Sequence, residues 1–113
     1  MSVPPFLEPP EGVAVTTVDT SRGAVAALRS GPADAPLALL VPGFTGSKED
    51  FVALLKPVGR AGFAALAVDL AGQFDSPPSA DGTYSLAGFA ADLLALASTA
   101  GGRPVHLVGH SFG

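Results

Sequence analysis

Five residues near position 110 have the types and the spacing that a serine nucleophile needs. The stretch Gly109-His110-Ser111-Phe112-Gly113 places a serine between two glycines, each two positions away. This Gly-x-Ser-x-Gly spacing is typical of a sharp strand-to-helix turn that strains the serine backbone and exposes its hydroxyl. Glycine suits both flanking positions because a side chain there would collide with the adjoining strand or helix. The spacing predicts that Ser111 attacks a carbonyl carbon and that the Phe112 N–H donates to the resulting oxyanion.

The residues before this pentapeptide favour such a turn, whereas those after it are not in the sequence. Taken alone, the pentapeptide also fits a glycine-rich turn without chemistry. Residues 104–108 (Pro-Val-His-Leu-Val) predict a buried parallel strand that runs into the serine. The helix that the turn requires would begin after Gly113, where the sequence stops. We therefore expect an N-terminal fragment of a longer protein, and we expect the fragment alone to be catalytically inactive and poorly stable.

The composition indicates a small globular chain and argues against several kinds of partner. Of the 113 residues, 48% are hydrophobic and 14% are charged, which is too apolar for a disordered chain. The net charge of −4, without a basic cluster, argues against nucleic-acid binding. The absence of cysteine excludes disulfides and thiolate metal sites, and His106 and His110 lie too close to the serine for a separate zinc site. We expect no cofactor and no metal.

The sequence contains no segment that is typical of export or of a membrane span. Residues 1–5 lack the basic and apolar regions of a signal peptide. The apolar segment 86–97 is too short to cross a membrane and contains Asp92. These features predict a cytoplasmic protein that does not contact a membrane.

The pattern of apolar residues divides the chain into an arm and one α/β domain. Residues 1–12 are rich in proline and predict an extended arm, and residues 13–113 predict an incomplete domain. The first two strands would form an antiparallel hairpin. Alternation and apolar runs predict five strands, over 13–19, 24–29, 37–41, 63–68 and 104–108.

The first predicted helix lies between the third and fourth strands. Ser47 is a candidate N-cap, with Asp50 as a partial capping box. Pro57 predicts that the helix ends or kinks near Lys56. The apolar stripe of this helix would consist of Phe51, Leu54, Leu55 and Val58.

The second predicted helix lies between the fourth and fifth strands. Ser85 is a candidate N-cap for a helix from Leu86 to about Thr99. Its apolar stripe would consist of Leu86, Phe89, Ala90, Leu93 and Ala97.

Three motifs make the sequence resemble the N-terminal part of an α/β-hydrolase-fold protein over roughly residues 13–113. They are the turn 42–44 (Pro-Gly-Phe), the loop 69–76 (Asp-Leu-Ala-Gly-Gln-Phe-Asp-Ser) and the pentapeptide 109–113, which would be the nucleophile elbow. The right-handed crossover rule and the resemblance together imply the strand order 1-2-4-3-5. Strands 3, 4 and 5 would be parallel, with the two helices on opposite faces. The fold class is therefore α/β.

The resemblance also assigns roles at the first turn. It implies that Gly43 forms the oxyanion turn and that the Phe44 N–H is the second oxyanion donor. Pro42 and Gln73 depart from the family pattern, which usually has His at both positions, and Ala71 stands where Arg is common. These differences indicate that the loop 69–76 packs differently from its counterparts.

Other polar residues near the elbow are expected to be structural. His110 is the variable residue of the elbow and should pack beside it. His106 is expected to be a core histidine with a hydrogen-bond partner. Asp69 is expected to brace its loop, because it precedes the serine in the chain and the family's catalytic acid follows it.

The resemblance implies a serine hydrolase that acts on an ester, thioester or amide through an acyl-enzyme, with a small-molecule acyl substrate. Two alternatives stay open: a non-catalytic binding or scaffold protein of the same fold, and an acyltransferase. The general base and its acid have no position in this sequence, and the oligomeric state stays open.

Overall fold

The computed structural model describes residues 10–43, 45–79, 82 and 84–111. The strands are β1 (Ala14–Thr20), β2 (Gly23–Ser30), β3 (Leu37–Val41), β4 (Ala64–Val68) and β5 (Val105–Gly109). A 3₁₀ turn (Lys48–Phe51) leads into helix α1 (Val52–Arg60), and helix α2 (Leu86–Ser98) lies between β4 and β5. The predicted arm falls mostly on residues outside the described ranges, so the division of the chain at residue 13 stays a prediction.

The strands form one mixed sheet in the order β1-β2-β4-β3-β5, which confirms the predicted order. β1 and β2 pair as an antiparallel hairpin, and β2 continues antiparallel to β4. β3 lies between β4 and β5 and is parallel to both. The carboxyl ends of β3, β4 and β5 therefore meet at one edge of the sheet, where binding sites of α/β sheets collect.

Alternate residues of the central strands pack on opposite faces of the sheet, as strand geometry requires. On one face, Leu39 and Val41 of β3 belong to a buried cluster with Leu96 of α2. On the other face, Leu40 belongs to a second cluster with Leu55 of α1. The helices thus cover opposite faces, as predicted. β3 and β4 are buried along their whole length, which is why both are continuous apolar runs.

Helix α1 differs in two ways from its prediction. It does not end near Lys56 but continues through Pro57 to Arg60. Proline removes one backbone hydrogen bond, and the packing of Leu55 against the sheet offsets this loss. Leu54 is exposed, so the buried stripe is narrower than expected.

The start of the 3₁₀ turn agrees with the partial capping box. The Asp50 carboxylate accepts a hydrogen bond from the Ser47 N–H at 3.2 Å. This bond satisfies one of the donors that a helix start leaves without a partner inside the helix.

The cap of α2 is confirmed, but the predicted stripe is partly wrong. The Ser85 hydroxyl accepts a hydrogen bond from the Gly88 N–H at 3.0 Å. Leu86 and Ala90 are exposed. Phe89 and Leu93 of the predicted stripe do pack on the sheet, together with Leu96 and Ala100, which the prediction left out. Of its 13 positions, nine are alanine or leucine, so the pattern of apolar residues does not mark one face.

β5 lies at the edge of the sheet, as the predicted strand order implies, and all five of its residues are exposed, so its apolar run is not buried among the described residues. Among the described residues it pairs only with β3. His106 is likewise exposed rather than a core residue, and its ring lies edge-on to that of Phe63 with centroids 5.2 Å apart. In the described part of the chain, neither helix has the length and apolarity that crossing a membrane requires.

Candidate active site

Ser111 lies two positions after the end of β5 and has an unusual backbone conformation. Its φ is 59°, and among the described residues it is the one non-glycine residue with a positive φ. Residues with a side chain rarely adopt this region, and such strain concentrates at functional sites. The pairing of β5 with β3 continues to the turn, because Gly109 lies opposite Val41 and the His110 N–H donates to the Val41 carbonyl at 3.1 Å. The strand thus fixes where the strained residue lies.

The turn after β3 approaches Ser111 closely at Gly43. A Cβ atom built on Gly43 would lie 3.3 Å from Ser111 Cβ and 3.8 Å from Ser111 Oγ. It would also lie 3.4 Å from the His110 carbonyl oxygen. A glycine at position 43 therefore allows the two turns to touch at the carboxyl ends of two neighbouring parallel strands.

The side chain of Gln73 connects the loop after β4 to the turn after β3. Its amide nitrogen donates to the Gly43 carbonyl at 2.8 Å, and its amide oxygen accepts from the Leu70 N–H at 2.7 Å. The residue is only 5% exposed. The Gly43 carbonyl can only accept and the Leu70 N–H can only donate. The amide nitrogen of Gln73 must therefore face Gly43, and its amide oxygen must face Leu70.

Lys48 and Asp69 form a buried ion pair beneath these turns. The Lys48 Nζ donates to Asp69 at 2.8 Å and to Asp75 at 2.6 Å. The Lys48 backbone N–H also donates to Asp69, at 2.7 Å, and the Asp75 N–H donates to it at 3.1 Å. Lys48 is 1% and Asp69 0% exposed. Asp69 thus braces its loop, as its position in the chain indicated.

The charge of Lys48 is stabilised by its partners rather than by water. Burial alone would lower the pKa of this amine, but its hydrogen bonds to Asp69, Asp75 and Glu49 outweigh that effect and raise the pKa above the ordinary lysine value. Within the described ranges, no group of three histidine or acidic side chains is arranged to hold a metal ion.

The structure brings together some of the residues that the sequence singled out. Gly43, Gly109 and Ser111 lie at adjoining strand ends, as expected. Phe44, Phe112 and Gly113 lie outside the described residues, so their predicted roles stay predictions.

Sequence reasoning missed two contributors to the site. The burial of Lys48 had no signal in the sequence, because its partner Asp69 is 21 positions away. Gln73 was recognised only as a departure from the family pattern, and its contact with Gly43 spans 30 positions.

A groove of about 540 Å³ lies between the β1–β2 turn, residues 76–79 and α2, and Asp69 also lines it. Neither Gly43 nor Ser111 lines it. We therefore assign the candidate site to the turns after β3 and β5.

Residues 36–113 match the family model of the alpha/beta hydrolase fold, and the chain belongs to this family. Three of the solved structures that it resembles are named hydrolases or lipases. An epoxide hydrolase from an endophytic Streptomyces matches with a TM-score of 0.80 and 31% identity, over 92% of this chain and 31% of that chain. A bacterial membrane phospholipase A matches with a TM-score of 0.80 and 27% identity, over 90% of this chain and 33% of that chain.

An epoxide hydrolase from Vigna radiata has a TM-score of 0.80 and 25% identity, over 91% of this chain and 33% of that chain. The chain therefore spans about a third of the length of these structures. No curated protein matches the sequence significantly.

Proposed function

We propose that Ser111 is the nucleophile of a serine hydrolase that acts on esters, thioesters or amides. The observation that carries the proposal is the φ of 59° at Ser111, just after the end of a parallel strand, with Gly109 and Gly113 two positions away on either side in the sequence. A strained serine at a strand end presents its hydroxyl above the sheet, where a substrate carbonyl can approach. The contact with Gly43 supports the proposal, because it places a second turn beside the nucleophile.

The proposed reaction has two steps that share one oxyanion site. In the first, Ser111 Oγ bonds to the substrate carbonyl carbon, its proton passes to a general base, and the carbonyl electrons move to the oxygen. The Phe44 and Phe112 N–H groups would donate to that oxyanion. Collapse expels the alcohol, thiol or amine with a proton and leaves an ester on Ser111. Water then attacks this ester in the same way and releases a carboxylic acid.

The residue type at position 111 favours acyl substrates over epoxides, although two of the similar structures are named epoxide hydrolases. A serine oxygen that opened an epoxide would form an ether with the carbon it attacked. Water does not readily cleave an ether, so such an enzyme would stop after one turnover. Attack on a carbonyl carbon instead gives an ester, which water can hydrolyse.

Steady-state kinetics on matched substrates test the proposal. The protein expressed from its complete gene should hydrolyse p-nitrophenyl acetate, and Ser111→Ala should reduce kcat by about 10³-fold or more. Styrene oxide should not be turned over. An activity that survives in Ser111→Ala, or turnover of the epoxide alone, would overturn the assignment. A folded protein without either activity would support the non-catalytic alternative, and transfer to an added alcohol in preference to water would support the acyltransferase.

A further inference from the structure

We propose that Gln73 is a positioning residue that orients the oxyanion donor of the turn after β3, an inference that rests on the proposed function. The basis is the hydrogen bond from its amide nitrogen to the Gly43 carbonyl, 2.8 Å long and buried. Gln73 does not touch Ser111 through this bond. Its effect on the reaction would act through the peptide group that follows Gly43.

The Gly43 carbonyl belongs to the same peptide group as the N–H that the family resemblance assigns to the oxyanion. A trans peptide group is planar, so its N–H points away from its C=O. A hydrogen bond that fixes the carbonyl on one side therefore fixes the direction of the N–H on the other. The Gly43 carbonyl accepts two such bonds, from Gln73 and from the Gly46 N–H at 3.0 Å.

These hydrogen bonds should also make the N–H a stronger donor. Hydrogen bonds in a chain polarise one another, and a carbonyl that accepts two bonds draws electrons from its own amide nitrogen. Preorganised donors stabilise an oxyanion because they need not reorient during the reaction. Gln73 would thus contribute both the direction and the polarity of the donor.

The position of Gln73 is itself well determined. Its backbone N–H donates to the Leu70 carbonyl at 2.9 Å, and its carbonyl accepts from the Ser76 N–H at 2.8 Å. The Ser76 hydroxyl donates to the Asp69 carbonyl at 2.7 Å and accepts from the Ala26 N–H at 3.0 Å. These hydrogen bonds hold the loop against β2. They therefore fix the position of the Gln73 backbone, from which the side chain extends to the turn after β3.

The bond also accounts for a departure from the family pattern. Pro42 stands where a histidine is usual, so the turn lacks a side chain that could brace it from within. Gln73 supplies a brace from the neighbouring loop instead. The two departures would then compensate for each other across 31 positions of the sequence, from 42 to 73.

The test compares three variants of the protein expressed from its complete gene, with p-nitrophenyl acetate as substrate at about pH 8, where a free glutamate is ionised. Gln73→Met keeps the length of the side chain and removes both hydrogen bonds. Gln73→Glu keeps an acceptor for the Leu70 N–H but loses the donor to Gly43. Thr99→Ala is the control, because it removes a side-chain hydrogen bond to the Leu96 carbonyl at the end of α2, which involves neither Gly43 nor the loop of Gln73.

We expect kcat to fall about tenfold in both Gln73 variants, with KM within about twofold of wild type, since losing a whole oxyanion donor costs about 10²–10³-fold. Thr99→Ala should lower the melting temperature but leave kcat within about twofold. The inference is overturned if Gln73→Met retains wild-type kcat, or if Thr99→Ala loses as much kcat as Gln73→Met. Wild-type turnover that depends on Ser111 but not on Gln73 would refute this inference alone, whereas the absence of Ser111-dependent turnover would refute both.

Discussion

Gly43 and Ser111 lie so close that one methyl group at position 43 would press against the serine side chain. The separation from a Cβ at that position to Ser111 Cβ would be 3.3 Å, tighter than an ordinary contact between carbon atoms. The turn after β3 and the turn after β5 would have to move apart to accept it. The glycine therefore sets the distance between the proposed oxyanion turn and the proposed nucleophile.

Gly43→Ala should lower kcat for ester hydrolysis several-fold, because the two turns must separate by a few tenths of an ångström and a displacement of about 1 Å in a reacting group can cost about 10²-fold. The measurement is kcat for ester hydrolysis together with a thermal melt. Gly88→Ala serves as control, since a Cβ there would meet only the Ser85 hydroxyl, at 3.2 Å. An unchanged kcat in Gly43→Ala would show that the contact does not constrain the site.

The buried pair of Lys48 and Asp69 should be strongly coupled in stability. Removal of one partner of a buried pair typically costs about 3–5 kcal/mol, because the other charge loses its compensation. We expect Lys48→Met and Asp69→Asn each to destabilise the protein by that amount, and the double variant by clearly less than the sum. Denaturant unfolding of the two single variants and the double variant measures this coupling.

The partly exposed ion pair of Arg22 and Asp92 is the comparison for this coupling. Its Nε and Oδ1 atoms are 2.5 Å apart. Its coupling should be below about 1 kcal/mol, since exposed ion pairs contribute little.

The pH dependence of the free energy of unfolding is a further check on the role of Lys48. Because folding raises the pKa of Lys48, its contribution is fully present below the ordinary lysine value of about 10.4 and is lost only as the pH rises through the higher folded value. A stability difference between wild type and Lys48→Met that disappears near neutral pH would contradict this account.

Pro57→Ala should stabilise the protein. The proline lies inside α1, where it removes a backbone hydrogen bond, and its side chain is exposed. A proline in a helix interior lowers the stability of the folded protein by about 3 kcal/mol. Because it also restricts the unfolded chain, it offsets about 0.4–1 kcal/mol of that loss. We therefore expect a gain of about 2–3 kcal/mol in the free energy of unfolding. A loss of stability in Pro57→Ala would mean that α1 needs the geometry that proline imposes.

The 113-residue chain produced by itself should self-associate through β5. Leu107 is 61% exposed, and Val105 and Val108 are also exposed beside a sheet edge that no described strand covers. Exposed apolar edges promote pairing between chains. Leu107→Lys should reduce the sedimenting mass, whereas Leu94→Lys, at an exposed position of α2, should not. A monomeric wild-type chain with a cooperative melt would refute this prediction.

The sequence predicted the sheet well because its signals are local. The apolar runs of β3 and β4 and the turn residues between β1 and β2 identify strands within a few positions, and the crossover rule then limits the topology. The buried face of α2 was predicted only in part, because Leu86 and Ala90 are apolar like the residues that pack.

The supports of the site could not be predicted because they join distant positions. The Gly-x-Ser-x-Gly spacing predicted a strained serine, which agrees with the φ of Ser111. By contrast, the contacts of Lys48 with Asp69 and of Gln73 with Gly43 depend on two loops that only the folded sheet brings together. Neither lysine nor glutamine carries a local pattern that distinguishes a buried brace from a solvated surface residue.

Covalent labelling tests the central claim most directly. The protein expressed from its complete gene is incubated with a fluorophosphonate, digested and mapped by mass spectrometry, beside Ser111→Ala. We predict one adduct, on the peptide that contains Ser111, and none in the variant, because only an activated serine reacts rapidly with such a probe. An adduct that persists in Ser111→Ala, or a folded wild-type protein that hydrolyses esters without acquiring the label at Ser111, would contradict the account.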